Sequence, residues 1–186
     1  MSITLKKGGS LNLSKKEPSL KKILIGLGWD PVASQSIDLD ASIFMIGRNG
    51  KLPADEYFIF YNNLKSPDGS VQHTGDNRSG AGDGDDEMIL VNLPIISLLV
   101  EEIVLVVSIH EAEARRHNFG LLQNSYIRIV DVENNREILR YQLEQEFQMC
   151  TEVEFGRLVK QDNDWSFSAS GMGTRAGLQT YVDKFV

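Results

Sequence analysis

The sequence predicts an all-β chain: a β-sandwich of two antiparallel sheets with short peripheral helices. Three observations lead there. Short runs rich in β-branched, aromatic and alternating apolar residues recur along the chain. Turn residues punctuate them at Arg48-Asn49-Gly50, Pro67-Asp68-Gly69, Asn134-Asn135 and Asp162-Asn163-Asp164. Helical periodicity is confined to two short stretches. Many short strands separated by tight turns suit two packed sheets better than an alternating α/β chain.

Each element has its own signal. Residues 23–27 are apolar and end at Gly28-Trp29-Asp30-Pro31, a strand followed by a turn. Residues 37–46 alternate. Ile37, Leu39, Ala41, Ile43 and Met45 point one way, and Asp38, Asp40, Ser42 and Phe44 the other, as in a half-buried strand. Residues 56–61 are aromatic and β-rich. The apolar runs at 88–93 and 103–109 read as interior strands. Strands are also expected at 126–132, 138–143, 151–159 and 165–169. Helices are expected at 111–116 and 174–185; the second places Leu178, Tyr181, Val182 and Phe185 on one face. No internal repeat or linker breaks the chain, so residues 1–186 are expected to form a single domain.

Charge narrows the function classes. The 186 residues are 41% hydrophobic and 24% charged, as in an ordinary globular protein, with a formal net charge of −7. That balance disfavours sequence-independent nucleic-acid binding and direct adsorption to an anionic membrane. Cys150 stands alone, so no intrachain disulfide forms. The start of the sequence lacks the apolar run of a signal peptide, and the 88–107 stretch is broken by Asn92, Pro94, Ser97, Glu101 and Glu102, so no membrane span is expected. The expected compartment is the cytoplasm.

The acids are concentrated. Residues 76–87 hold five acids against one arginine, −4 of the formal −7. Asp38 and Asp40, two apart on a strand, project their carboxylates from one face. Gly75, Gly80, Gly82 and Gly84 let the acidic stretch curl and turn carbonyl oxygens inward. Two carboxylates about 5 Å apart repel by roughly 3 kcal/mol at an effective dielectric of about 20. Several converging acids therefore call for a cation. Calcium takes oxygen donors of this mixed kind, whereas zinc wants nitrogen and sulfur. The EF-hand spacing is absent, so a calcium site has to be assembled from separate segments. A solvated acidic hairpin is the plainer reading of Asp83-Gly84-Asp85-Asp86 taken alone.

At these residues the chain resembles the TerD-domain family of bacterial tellurium-resistance and stress proteins. The matching pieces are Leu5-x-Lys7-Gly8-Gly9, Leu27-Gly28-Trp29-Asp30, Asp38-Leu39-Asp40-Ala41-Ser42, Gly75-Asp76-Asn77-Arg78-Ser79-Gly80 and Gly82-Asp83-Gly84-Asp85-Asp86-Glu87. Ser108-Ile109-His110-Glu111-Ala112, Arg116-His117-Asn118-Phe119-Gly120 and Trp165-x-Phe167 follow in the family order. The resemblance implies a β-sandwich that binds two calcium ions through its loops. It implies a role in stress response and in tellurium resistance, in the cytoplasm or peripheral to the membrane. The implied partners are other stress-resistance proteins, at the inner membrane surface. The metal-binding residues it implies are Asp30, Asp38, Asp40, Asp76, Asn77, Asp83, Asp85, Asp86 and Glu87. His117 stands where the family often has Gln, and Gly171-Met172-Gly173-Thr174-Arg175 departs from its pattern.

Other chemistries fit less well. His110-Glu111 begins the zinc-helix pattern, but Ala114 stands where its second histidine is needed. Asp38-x-Asp40-x-Ser42 resembles the nucleophile motif of magnesium-dependent phosphotransferases of the haloacid dehalogenase kind, and Gly82-Asp83-Gly84 their later metal motif. About 40 residues between the two leave no room for the crossover helices of that fold. A metal-free interaction module is the remaining alternative. No nucleophile–base pair is visible, and the chain is expected not to be an enzyme.

Overall fold

The longest apolar runs become the central strands of two sheets in a computed structural model, which describes residues 1–32, 36–74, 84–143 and 147–186. The first sheet takes the order β1 (Ile3–Leu5), β10 (Arg136–Gln142), β9 (Leu122–Asp131), β3 (Lys22–Pro31), β7 (Glu87–Asn92) and β6 (Val71–His73). The second runs β2 (Ser10–Asn12), β12 (Asp164–Ser168), β11 (Glu152–Gln161), β8 (Glu102–Ile109), β4 (Leu39–Ile46) and β5 (Phe58–Ile59), with β13 (Met172–Thr174) also paired to β11. The pairings are antiparallel except β1 with β10, which is parallel. The expected sandwich is formed, and its antiparallel character holds for all but this short edge. Antiparallel β-sheets do not need the crossover helices that a haloacid-dehalogenase fold requires.

The core lies between the sheets. Ile23, Ile25 and Leu27 of β3, Ile127 and Ile129 of β9, and Ile89 and Val91 of β7 face Ile43 and Met45 of β4 and Ile103, Leu105 and Val107 of β8. Short helices sit outside: α1 (Leu13–Lys16), α2 (Ala112–Arg115) and α3 (Gln179–Phe185). No helix among the described residues is long and apolar enough to cross a membrane.

Three expectations need correction. Residues 39–46 are buried on both faces, not one: Ser42 and Phe44 are as closed to water as Ile43. The C-terminal helix α3 covers the second face, and Tyr181 and Phe185 pack with Phe44, Ile46, Val104 and Val106 into a second core. Phe44 stacks on Phe58 at 4.5 Å and meets Phe185 at 5.0 Å. This also explains why β8 reads as an unbroken apolar run. The 56–61 strand shrinks to Phe58–Ile59 after a 3₁₀ turn at Asp55–Tyr57. Asn63 Nδ2 donates to the carbonyls of Glu56 and Phe58, which a longer ladder would have engaged.

Helix α3 begins later than expected, because Thr174 ends β13 and Gly177 turns the chain at φ +84°. Truncating Phe44 opens a cavity that touches sheet and helix together. We expect Phe44→Ala to cost about 3–5 kcal/mol in urea unfolding.

Candidate functional site

Glycines in β3 open the ground on which the site is built. A side chain at Gly26 would lie 2.2 Å from Asp85 Oδ2, and one at Gly28 would lie 2.4 Å from the Tyr126 ring. The bare strand face therefore lets Asp85 and Tyr126 lie flat against the sheet. Glycine inside a strand often marks such a close approach.

Asp85 is almost closed to water, at 3% exposure. Its charge is balanced by Arg128, which donates from Nε to Oδ1 and Oδ2 at 2.8 and 3.0 Å and from Nη2 to Oδ2 at 2.8 Å. The Tyr126 hydroxyl donates to Oδ1 at 3.0 Å and to the Gly84 carbonyl at 3.2 Å. Burial, followed by the negative charge of Asp85, pushes the Tyr126 phenol up to about 12. The Arg140 guanidinium stacks on the Tyr126 ring at 4.2 Å, and Glu137 links Arg140 to Arg128. A ladder of alternating charge thus clamps residues 84–85 to the outer face of the first sheet.

The next two acids bind the end of the sandwich. Asp86 accepts from the Trp29 amide at 2.9 Å, and its own amide donates to the Leu27 carbonyl at 2.7 Å. Glu87 turns inward and is 2% exposed. Its Oε2 accepts from the Ala41 amide at 2.8 Å, so one carboxylate joins β7 of the first sheet to β4 of the second. His73 Nε2 lies 3.5 Å from the same oxygen. Burial strips this carboxylate of water and raises its pKa to about 7. Hydrogen bonding and charge from His73 and the Ala41 amide oppose the rise, and the negative charge of Asp40 adds to it.

Asp40 is therefore an electrostatic neighbour of Glu87. Its Oδ2 lies 3.4 Å from His110 Nδ1. Asp38 precedes it; the Asp38 carbonyl accepts from the His110 amide at 2.8 Å, and its Oδ1 is buried. A groove of about 1020 Å³ opens beside Asp40 and passes His110, Arg116, His117 and Glu152 to Arg175. Glu111 and Arg116, at either end of α2, both hold left-handed backbone, with φ of 50° and 56°. For non-glycine residues that conformation is uncommon and concentrates at functional sites.

Of the residues read from the sequence, the structure brings Asp40 close enough to Glu87 to act on its charge, while Asp86 holds the Trp29 amide and the Asp38 carbonyl holds the His110 amide. Asp85, next to Asp86 in the chain, has its charge engaged by Arg128. Asp30 is exposed at the end of β3, where it accepts from Asn124 Nδ2 at 2.8 Å. Asp76, Asn77 and Asp83 lie outside the described residues. Among the described residues, no group of three or more His, Cys, Asp or Glu side chains is arranged to hold a metal ion. Sequence reasoning missed His73, Tyr126 and Arg128. The paired glycines of β3 were the available signal for the last two; the side chain opposite a buried glutamate has no local sequence mark.

Comparison with known proteins agrees with this architecture. Residues 1–185 match the TerD domain. The chain is 48% identical to the tellurium resistance protein TerD of Serratia marcescens, over all of this chain and 97% of that one. It is 43% identical to general stress protein 16U of Bacillus subtilis, covering 96% and 94% of the two chains. A crystal structure of a Streptomyces coelicolor homologue of the telluride resistance protein superposes with a TM-score of 0.70 at 19% identity, over 88% of this chain and 95% of that one. At that identity the likeness shows a shared fold.

Two outcomes follow from the buried charges. Arg128→Met leaves Asp85 buried without its counter-ion and should lower stability by about 3–5 kcal/mol. Adding Asp85→Asn should recover part of that loss in a double-mutant cycle. For Glu87, the folded chain holds the proton more tightly than the unfolded chain, whose carboxyl titrates near 4.5. The proton's contribution is complete below about 4.5 and is lost as pH rises through about 7. Melts in EGTA should show a decline on the order of 3 kcal/mol across that window, and Glu87→Gln should flatten it.

Proposed function

The chain belongs to the TerD-domain family, and from that premise we propose that it is a calcium-binding, non-enzymatic stress-response protein linked to resistance to tellurite and other toxic agents. Its relatives carry the names of resistance and stress proteins, not of enzymes. The observation that supports the calcium reading is the approach of Asp40 to buried Glu87, with Asp86 next to Glu87 in the chain. Among the described residues, His73 is the one basic side chain acting on Glu87 there, and burial still holds the carboxyl far above its usual range.

A hard divalent ion suits that surplus. The donors are carboxylate oxygens, the chemistry calcium prefers. Asp38, Asp40 and Asp86 are the first candidates to hold it. Asp30, Asp76, Asn77 and Asp83 complete the proposed set for two ions, with Glu87 setting the charge at their base. Asp85 has a different part in this reading: paired with Arg128, it anchors the acidic segment to the sheet. Bound calcium supplies charge neutralisation and makes the acidic end a docking surface for another stress-resistance protein in the cytoplasm. A metal-free interaction module is the second reading, and the engagement of Asp85 by Arg128 favours it.

Thermal melts in calcium, magnesium and EGTA separate the two. Calcium at about 100 times its dissociation constant should stabilise the fold by about 2.7 kcal/mol and raise the midpoint by roughly 5–10 °C. No rise with calcium supports the metal-free module instead, and an equal rise with magnesium denies the site its calcium preference.

A further inference from the structure

Glu152 is 4% exposed, and among the described residues no cation is paired with it. Its Oε1 accepts from the Thr151 hydroxyl at 2.7 Å and its Oε2 from the Gly177 amide at 3.0 Å, both neutral donors. Glu154, two residues on, is closed to water as well, but it is matched by Arg157. A buried carboxylate ordinarily has such a partner. Glu152 instead lines the groove that passes from Asp40 to Arg175.

Strand register orders the floor of that groove. Asp40 of β4 pairs with Ser108 of β8, Ser108 with Glu152 of β11, and Glu152 with Thr174 of β13. Directly opposed residues share a face. The four therefore stand in one row across the outside of the second sheet, while Leu39, Val107 and Val153 point into the core. Two strand spacings set the Asp40 and Glu152 backbones about 10 Å apart. Their carboxylates are held by separate groups, Asp40 beside His110 and Glu152 by Thr151 and Gly177. One metal ion, which takes its oxygens at about 2.3–2.6 Å, does not span that gap. Between the two acids Ser108 is 7% exposed, and its hydroxyl has no hydrogen-bond partner among the described residues. Ser42 Oγ and His117 Nδ1 are likewise buried without a partner. Ser42 is the next residue of β4 on the face of Asp40, and His117 lines the groove. Unpaired polar groups at such a place call for a ligand.

The charges of the groove select a ligand of mixed sign. Its lining carries Asp40, Glu111, Glu113 and Glu152 against Arg116 and Arg175. The next charges outward are Arg115 on Glu111, Asp38 ahead of β4, and the Glu154–Arg157 pair, and they leave that excess of acid unchanged. Neither Arg116 nor Arg175 has an ion pair among the described residues. A simple anion would meet the acidic floor, and a plain diamine would leave both guanidiniums facing cations. A diamino acid answers both signs, with two ammonium groups on one alkyl chain and a single carboxylate. Tyr61, 57% exposed, adds an aromatic face of the kind that attracts an alkylammonium group.

We propose that this groove binds a free diamino acid of the lysine kind. The side-chain ammonium meets Asp40, the α-ammonium meets Glu152 beside Ser108, and the carboxylate meets Arg175, which follows Thr174 of the floor row. The site shares Asp40 with the proposed calcium site but does not rest on it, since Glu152 and Arg175 are not among the proposed metal donors.

Calorimetric titration of L-lysine into the full chain in EGTA tests it, because no calcium then competes for Asp40. Lysine should bind at one site per chain. Norleucine, which lacks the side-chain amine, and cadaverine, which lacks the carboxylate, should each bind at least tenfold more weakly. Arg175→Ala should weaken lysine binding at least tenfold with an unchanged melting temperature, since that side chain is exposed, and should leave cadaverine binding no weaker. Glu152→Gln keeps the shape of the side chain and should weaken lysine and cadaverine alike. If that variant melts early, Arg175→Ala and the three ligands still decide the matter. No binding of lysine by the parent chain, norleucine or cadaverine bound as tightly as lysine, or full lysine affinity in Arg175→Ala overturns the proposal. Each of these results leaves the calcium reading to its own test.

Discussion

Glu87 must place a carboxyl group where water does not reach, and the end of the sandwich is built around that constraint. Its oxygen holds the Ala41 amide, so the first residue of β7 is tied to the start of β4 in the opposite sheet. The neighbouring Asp86 holds the Trp29 amide at the far end of β3. Two consecutive acids therefore fasten three strands from two sheets. Loss of either link frees backbone donors at a place where a buried, unsatisfied amide is costly.

Asp85 and Glu87 meet the same problem in different ways. Asp85 is matched by a guanidinium with several hydrogen bonds, which makes a clamp. Glu87 faces an imidazole at longer range and an aspartate of its own sign, and its proton affinity rises accordingly. A site held at this balance accepts positive charge from whatever source can reach it, a proton or a metal ion. Asp40 of β4 adds a second negative charge beside Glu87, the surplus from which the proposed calcium site is argued.

Much of this was legible in the residues. Strong β-rich runs gave most of the strands, because a buried strand has to be apolar whatever it packs against. The approach of Asp40 to Glu87, the last acid of the acidic stretch, agrees with the expectation that separate segments share one acidic site. The second face of β4 was not legible. Phe44 and Ser42 look solvent-facing in a local alternation, and only the return of the C-terminal helix buries them. His73 and Arg128 escaped notice for a similar reason. Each is made meaningful by a partner far away in sequence, and period and turn chemistry report only neighbours. Short edge strands such as Ile3–Leu5 and Ser10–Asn12 owe their existence to the sheets they extend, not to a propensity of their own.

Polarity along the long axis ties the two ends together. One end gathers acids, and the other exposes the aliphatic side chains Ile95, Leu98 and Leu99. The central claim rests on the acidic end, and calorimetric titration of calcium into the metal-free chain tests it most directly. The account predicts saturable binding that Asp40→Asn greatly weakens while the variant remains folded. Absence of saturable heat, or binding in the variant equal to that of the parent chain, contradicts it.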